Sequence, residues 1–210
     1  MKASHHALLI GNANSCTSRL LQELAKKADF ILAADGGANA ALKAGVIPHA
    51  IIGDFDSVSA KTKSRLKNSQ WLSAPDQNKT DFKKAMDFLV RQNCRQCTLV
   101  GFIGGRVDFS IGNMLAAYPY ASKMDICLTA DGWNVYPLSK SKRFTAKPGA
   151  RVSLIPLKTC NGVTLSGLKY PLQDARLSLG TTHTISNLTA KKNFTVQMRS
   201  GSLLVCVEKK

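Results

Sequence analysis

Two carboxylates one residue apart, Asp54 and Asp56, follow the apolar run Ala50-Ile51-Ile52 and its Gly53. Bounded on the left by Pro48, the run has the character of a buried strand that delivers both acids into a loop. Alternate residues of an extended chain point the same way, so the two aspartates are expected to share a side, with Phe55 opposite and their Cα atoms about 7 Å apart. That arrangement suits two carboxylates gripping one hard cation, and Mg²⁺ carrying a phosphorylated substrate is the chemistry it would serve. The plainer alternative is an acidic turn solvated by water. Its place at the C-terminal end of a hydrophobic strand favours the first reading, because open α/β sheets bind their ligands there.

Three further loops have the same setting. Asp35-Gly36-Gly37-Ala38-Asn39 follows the apolar run Phe30–Ala34 and opens a helix running to about Lys43. Its glycines let the backbone approach a phosphate and the helix N-terminus offers free N–H groups, although a strand-to-helix turn needs glycine for its dihedral angles alone. Asp76-Gln77-Asn78-Lys79-Thr80-Asp81 precedes a helix, with Thr80 at the N-cap and Asp81 in the first turn. Capping does not require Asp76, Gln77 and Lys79 beside it; Lys79 suits a phosphate, and Asp81 suits a metal site begun by Asp54 and Asp56. The last loop, Gly104-Gly105-Arg106-Val107-Asp108, has Asn113 about one and a half turns further on. Glycines with an arginine suit a phosphate cradle, since guanidinium grips phosphate oxygens in a fixed fork.

The elements that position these loops alternate in type. Strands are expected at Ala7–Ile10, Phe30–Ala34, Ala50–Ile52, Cys97–Ile103 and Met124–Thr129, and helices at Thr17–Ala28, Asp81–Gln92 and Asp108–Tyr118. Phe82, Ala85, Met86 and Leu89 repeat at i, i+3, i+4 and i+7, the stripe of a half-buried helix. The alternation predicts an α/β fold, a doubly wound and mostly parallel sheet covered by helices, with the four loops converging on one crevice.

Beyond Asp131 the pattern changes. Ser139–Lys147 is polar and basic, Pro148-Gly149 is a turn signal, and short β-type runs follow at Arg151–Leu157, Gly162–Leu165, Thr184–Leu188, Phe194–Met198 and Leu203–Val207. Glycines punctuate them, as in an antiparallel β-sandwich. The expected domains are 1–140, α/β, and 141–210, β-sandwich.

Composition narrows the function classes. At 210 residues, 44% hydrophobic and 20% charged, the chain can bury a substantial core. No run reaches the roughly 20 apolar residues of a membrane span, and Lys2–Gly11 is too short and polar for a signal peptide, so a cytoplasmic protein with no membrane partner is expected. The net charge of +16 is uneven: residues 1–140 carry 17 basic against 11 acidic side chains, and residues 141–210 carry 12 against 2. The basic residues are scattered without aromatic interleaving, which points to anionic small ligands before any specific nucleic acid. Six cysteines show no secreted-scaffold spacing, and Cys94-Arg95-Gln96-Cys97 has no second pair near it to complete a zinc site.

Taken in order, Asp35-Gly36-Gly37-x-Asn39, Gly53-Asp54-Phe55-Asp56-Ser57, Asp76-Gln77-x-x-Thr80-Asp81 and Gly104-Gly105-Arg106-x-Asp108 resemble thiamine pyrophosphokinase (thiamine diphosphokinase). The resemblance continues through Gly162-Val163-Thr164, Gly167–Leu172 and Ser186-Asn187, covering nearly the whole chain. It implies an α/β domain that holds ATP and Mg²⁺, a β-sandwich that helps bind thiamine, and a homodimer with each active site formed between the α/β domain of one subunit and the sandwich of the other. The implied reaction transfers the pyrophosphoryl group of ATP to the hydroxyethyl oxygen of thiamine. Carried over by position, Asp35, Asp54, Asp56 and Asp81 are the catalytic cluster, with Asp54, Asp56 and Asp81 on the metal. Gly36, Gly37, Asn39, Gln77, Lys79, Thr80, Gly104, Gly105, Arg106 and Asp108 become nucleotide contacts, and Ser186 and Asn187 contacts to the thiamine pyrimidine.

The chain departs from the family at four positions. Phe109 stands where His or Gln is usual, Asn78 where an acid is common, Thr184 in place of glycine, and Leu188 in place of Glu. Two alternatives stay open at this level: the same chemistry on another hydroxyalkyl acceptor such as a pterin, and a catalytically silent protein that binds nucleotide or nucleic acid. Against the silent protein stands the number of mutually repelling carboxylates, which binding alone does not require.

Overall fold

The computed structural model describes residues 6–13, 16–130 and 132–209; Lys2–His5 of the N-terminal stretch read for a leader lie outside the described residues. Two compact units are present, Met1–Ala116 with Lys123–Asp131, and Ala117–Ser122 with Gly132–Lys210. Among the described residues no helix is long and apolar enough to cross a membrane.

In the first unit, strands β1 (His6–Ile10), β2 (Phe30–Ala34), β3 (Ala50–Gly53), β4 (Gln70–Ser73), β5 (Gln96–Val100) and β6 (Asp125–Ala130) lie in the order β4-β3-β2-β1-β5-β6. Every neighbouring pair is parallel. Helices α1 (Ser18–Ala25), α2 (Gly37–Lys43), α3 (Ala60–Arg65), α4 (Asp81–Arg91) and α5 (Val107–Ala117) fill the connections. The side-chain period of two along each strand divides the core. Leu8, Ile10 and Ile31 pack with Leu21 of α1 and Ala41 of α2, while Ala33 and Ile51 pack with Ala38 of α2 and with Leu66 just past α3. On the opposite face of β2, Phe30 meets Phe88 of α4 with ring centroids 6.3 Å apart. Helices on both faces of a parallel sheet make the doubly wound fold expected from the alternation.

Local chemistry explains where the elements stop. Thr17 and Thr80 cap α1 and α4 by accepting from the backbone N–H groups of Leu20 and Lys83 at 3.2 and 3.3 Å. The strand expected at Cys97–Ile103 ends at Val100, because Gly101 turns the chain with φ +76°. The helix expected at Thr17–Ala28 ends at Ala25. Neither α3 nor β4 is foreshadowed by periodicity: α3 is six residues long, and β4 is a short edge strand with a partly exposed Gln-Trp-Leu-Ser sequence.

The second unit is antiparallel. Strands β7 (Trp133–Leu138), β8 (Lys142–Thr145), β9 (Arg151–Ser166), β10 (Leu172–Leu177), β11 (Asn187–Leu188), β12 (Asn193–Gln197) and β13 (Ser200–Glu208) are organised around β9. The first half of β9 pairs with β13, which pairs with β7; its second half pairs with β12 and β10. A single strand therefore serves both layers of the sandwich, changing sheets where the β9–β13 register shifts beside Asn161 and Ser202. The runs Arg151–Leu157 and Gly162–Leu165, expected as two strands, are this one strand. Ser139–Lys147, expected as a polar connection, contains β8, which hides Phe144 in the core; within Thr184–Leu188 only Asn187–Leu188 is strand.

Phe194 and Phe144 stack at 5.0 Å in this core, and Phe194 is 1% exposed. Phe194→Ala is expected to destabilise the sandwich by about 3–5 kcal/mol, read as a lowered urea midpoint. A variant that unfolded at the wild-type midpoint would show that this stack does not support the unit.

Candidate active site

The strand order reverses between β1 and β5, since β2 continues from one side of β1 and β5 lies on the other. At such a switch point the loops leaving adjacent strands diverge and leave a crevice. Here the two loops first run close together: the N–H of Gly11 donates to Val100 O at 2.8 Å and that of Ala13 to Gly101 O at 2.9 Å. A Cβ on Gly11 would lie 2.5 Å from Gly101 O, and one on Gly101 would lie 2.4 Å from Gly11 O, so the approach requires glycine on both sides. Above it opens a pocket of about 560 Å³, lined from the C-terminal ends of β1, β2, β3 and β5 and from the N-terminus of α4.

Its acidic end is formed by Asp35, Asp54 and Asp56, each offering a carboxylate oxygen within 4.8 Å of the others. Asp35 follows β2 with φ +41° and is fixed by its N–H donating to Ile52 O at 2.8 Å. Asp54 and Asp56 converge differently from the expected strand alternation. The strand ends at Gly53, Phe55 turns into the left-handed region with φ +67°, and its ring is anchored edge-on against Trp71 with centroids 5.0 Å apart. The turn folds Asp56 back toward Asp54, whose Oδ1 accepts from the Asp56 N–H at 3.4 Å. That bond is the main reason the Asp54 carboxyl is held below its ordinary range, with the charge of Lys84 adding to it. Asn39 supports the loop from outside the pocket lining: its Nδ2 donates to Ser57 O at 2.8 Å and its Oδ1 accepts from Ser59 N–H at 3.1 Å.

Asp81 lines the same pocket but lies outside the group of three. Burial pushes its carboxyl up, opposed by Lys84, whose Nζ donates to Asp81 Oδ1 at 3.1 Å; the charges of Asp35 and Asp54 push it further up. Lys84 is a buried cation with a side chain 5% exposed, and it offsets an excess of negative charge that would otherwise repel itself. The donor set fits a divalent cation: hard carboxylate oxygens, converged, with Asp35 Oδ1 buried and lacking any hydrogen-bond partner among the described residues.

The lining is also aromatic and basic. Phe82 and Phe102 meet edge-on at 5.2 Å, and Arg106 and Phe109 line the wall beside them. Asp108, expected as a nucleotide contact, holds Arg106 bidentately: Nε donates to Oδ1 at 3.1 Å and Nη2 to Oδ2 at 2.6 Å. This pairing lowers the Asp108 carboxyl and raises Arg106. Gly104 and Gly105 line the pocket, and the Gly104 N–H donates to Ser110 Oγ at 2.9 Å.

The remaining expected contacts divide between the pocket and its surroundings. Gly36 lines the pocket, whereas Gly37 is explained by packing, because a Cβ there would stand 2.1 Å from Ile10 O. Thr80 lines the pocket as the cap of α4, but Gln77 and Lys79 do not line it, and Lys79 Nζ lies 3.3 Å from Asp87 Oδ2. In the sandwich, Asn187 is buried with its amide engaged by the main chain of Tyr170: Oδ1 accepts from the N–H at 3.0 Å and Nδ2 donates to the carbonyl at 2.6 Å. It therefore fixes the turn beside it, while Ser186, at φ +61°, is exposed. Thr184, where the resembled family has glycine, is buried with Oγ1 donating to Leu154 O at 2.7 Å.

Sequence reasoning missed Gly11, Asn12, Ala13, Lys84 and Phe102 as pocket or cluster residues. Gly11 carried a signal, a glycine directly after an apolar strand. Lys84 carried none, since lysines three residues into a helix are ordinarily solvated.

Two family models match the chain: "Thiamin pyrophosphokinase, catalytic domain" over residues 21–128 and "Thiamin pyrophosphokinase, vitamin B1 binding domain" over residues 141–203. A thiamine pyrophosphokinase of Bacillus subtilis is 26% identical over 178 residues, covering 81% of this chain and 83% of the relative. Thiamine pyrophosphokinase 2 of Oryza sativa is 28% identical over 226 residues, covering 93% and 83%. Among solved structures, a thiamin pyrophosphokinase from Geobacillus thermodenitrificans superposes with a TM-score of 0.85 at 26% identity, covering 98% of both chains.

Replacing Lys84 by Met leaves Asp81 without its cation and is expected to lower stability by about 1–3 kcal/mol in the absence of divalent metal, with part of the loss recovered on adding Mg²⁺. Thermal unfolding in EDTA and in Mg²⁺ checks this. Equal losses under both conditions would show that Lys84 serves packing and not the charge of the cluster.

Proposed function

We propose a function from one premise: the chain belongs to the thiamin pyrophosphokinase family. It is a transferase of the kinase type. Its reaction is transfer of the pyrophosphoryl group of ATP to the hydroxyl of thiamine, giving thiamine diphosphate and AMP. The observation that carries the reading is the convergence of Asp35, Asp54 and Asp56 in a pocket large enough for a nucleotide, with a buried Asp35 oxygen unpartnered among the described residues.

In this reading Asp35, Asp54 and Asp56 hold Mg²⁺, in place of the set of Asp54, Asp56 and Asp81 expected from sequence. When bound, the ion neutralises phosphate charge and polarises the phosphorus under attack. The chain's own groups do the rest. The turn at Phe55 and the tie through Asn39 fix Asp54 and Asp56, so no reorganisation is needed as charge develops. Asp81 lines the same pocket outside the group that holds the ion, and so is the carboxylate left to accept the proton of the attacking alcohol. Arg106, oriented by Asp108, faces the phosphates as a fixed cation.

The sandwich contributes to thiamine binding through Ser186, with Asn187 holding its turn from beneath. A homodimer follows as the assembly, each α/β unit working with the sandwich of the other subunit. The surface offered for association includes α5, where Val107, Ile111 and Leu115 are exposed along one stripe.

Two outcomes are expected. Asp54→Asn lowers turnover by about 100- to 1,000-fold, measured as AMP and thiamine diphosphate formed from ATP, Mg²⁺ and thiamine, with an unchanged circular-dichroism spectrum. Near-normal activity of this variant, or preference for a pterin alcohol, would overturn the assignment. Ile111→Asp converts a dimer to a monomer in sedimentation velocity, and a wild-type protein that sediments as a monomer at micromolar concentration removes the shared-site assembly.

A further inference from the structure

The second unit carries more positive charge than its proposed ligand explains. Residues 141–210 hold 12 basic against 2 acidic side chains, and both acids are already paired: Glu208 Oε1 lies 3.8 Å from Arg151 Nη1, and Asp174 accepts from Arg199. No other acid in this stretch offsets the remaining cations. Thiamine is itself a cation, so a positive excess opposes its binding and is not accounted for by it.

The fold gathers part of that charge at one end of the sandwich. Strands β8 and β9 end there and β12 begins there, because β12 runs antiparallel to both. The loops beyond them are tied together. The Ala146 N–H donates to Lys192 O at 2.9 Å, Thr189 Oγ1 donates to Lys147 O at 2.6 Å, and the Lys191 N–H donates to Gly167 O at 3.4 Å. Thr189 is buried, which anchors the rim at its base. Lys147, Lys191 and Lys192 are thereby held near one another; all three are exposed, and among the described residues none takes part in an ion pair. Like charges fixed side by side oppose folding through self-repulsion until an anion meets them.

The adjoining outer face of the sheet has matching chemistry. Phe144, Phe194 and Leu165 turn inward, so Arg143 of β8, Thr195 of β12 and Ser166 of β9 form an outward row across three strands. Asn193 and Gln197 flank it and are exposed. Among the described residues, none of the large exposed apolar side chains lies on β8, β12 or the second half of β9. Guanidinium, hydroxyl and amide groups bond phosphate and sugar oxygens and read no base. Single strands are held by stacking on aromatic rings, and membranes by apolar side chains that enter the lipid; this face has neither.

We infer that the end of the sandwich formed by Lys147, Lys191 and Lys192, with Arg143 on the adjoining face, binds duplex nucleic acid through its phosphate backbone and without regard to sequence. This goes beyond the pyrophosphokinase reading and does not depend on it.

Fluorescence anisotropy of a labelled duplex of about 20 base pairs, titrated with the full-length protein at about 50 to 200 mM salt, tests this. The wild type is expected to bind with a Kd of about 1–100 μM at physiological salt, equally for two unrelated sequences, and to weaken steeply as salt rises. Replacing three lysines together, Lys147→Gln, Lys191→Gln and Lys192→Gln, is expected to weaken binding about 10- to 100-fold and to reduce the log–log salt slope by about 3, one for each lost phosphate contact. A control removes the same charge from the first unit: Lys61→Gln, Lys63→Gln and Lys67→Gln, exposed on α3 and just past it, is expected to change affinity by no more than about twofold. Equal losses in the two triple variants would assign the effect to net charge alone and overturn the inference, as would a wild type that does not bind. Tighter binding to phosphatidylserine vesicles than to the duplex would make the surface a membrane contact and overturn it as well.

Discussion

Repulsion among carboxylates governs the first unit of this protein. Asp35, Asp54 and Asp56 converge within 4.8 Å and Asp81 faces the same pocket, an arrangement that opposes folding until something offsets it. The offsets are visible one by one. Lys84 brings a buried positive charge to Asp81 and Asp54, the Asp56 N–H donates to Asp54, and the Ser57 hydroxyl donates to Asp56 Oδ1 at 3.0 Å. Among the described residues Asp35 keeps one buried oxygen unpartnered, the residual imbalance that a divalent cation would remove.

Holding those groups in place also requires uncommon backbone. Asp35 and Phe55 both have positive φ, a conformation that costs about 1–3 kcal/mol for residues other than glycine. The surroundings over-determine them: Asp35 is tied into the sheet through Ile52 O, and Phe55 is locked by Trp71. The rigid element beneath is the parallel sheet, whose strands β1, β2 and β3 are buried along nearly their whole length.

The pocket lining combines four aspartates with Phe82, Phe102, Phe109 and Arg106. In the sandwich the polar residues work differently. Thr184, Asn187 and Thr189 are buried, and each is engaged by main-chain atoms, so they define the shape of their loops.

Sequence by itself determined the layout of the first unit: apolar runs of strand length alternating with periodic helices permit little besides a parallel sheet, and acids and glycines after those runs fall at one edge of it. It also located the Thr80 cap and the buried stripe of α4, because both follow from local spacing. Only the tertiary structure decided which carboxylates meet. The expected convergence of Asp54 and Asp56 by strand alternation is replaced by a left-handed turn at Phe55, and Asp35 joins them in one group while Asp81, engaged by Lys84, lies outside it. Likewise the free-looking amide of Asn187 and the acid of Asp108 are both occupied by neighbours. A side chain's type and spacing state what it can bond to; which partner reaches it first is settled by distances between segments far apart in the chain, and no local pattern encodes those.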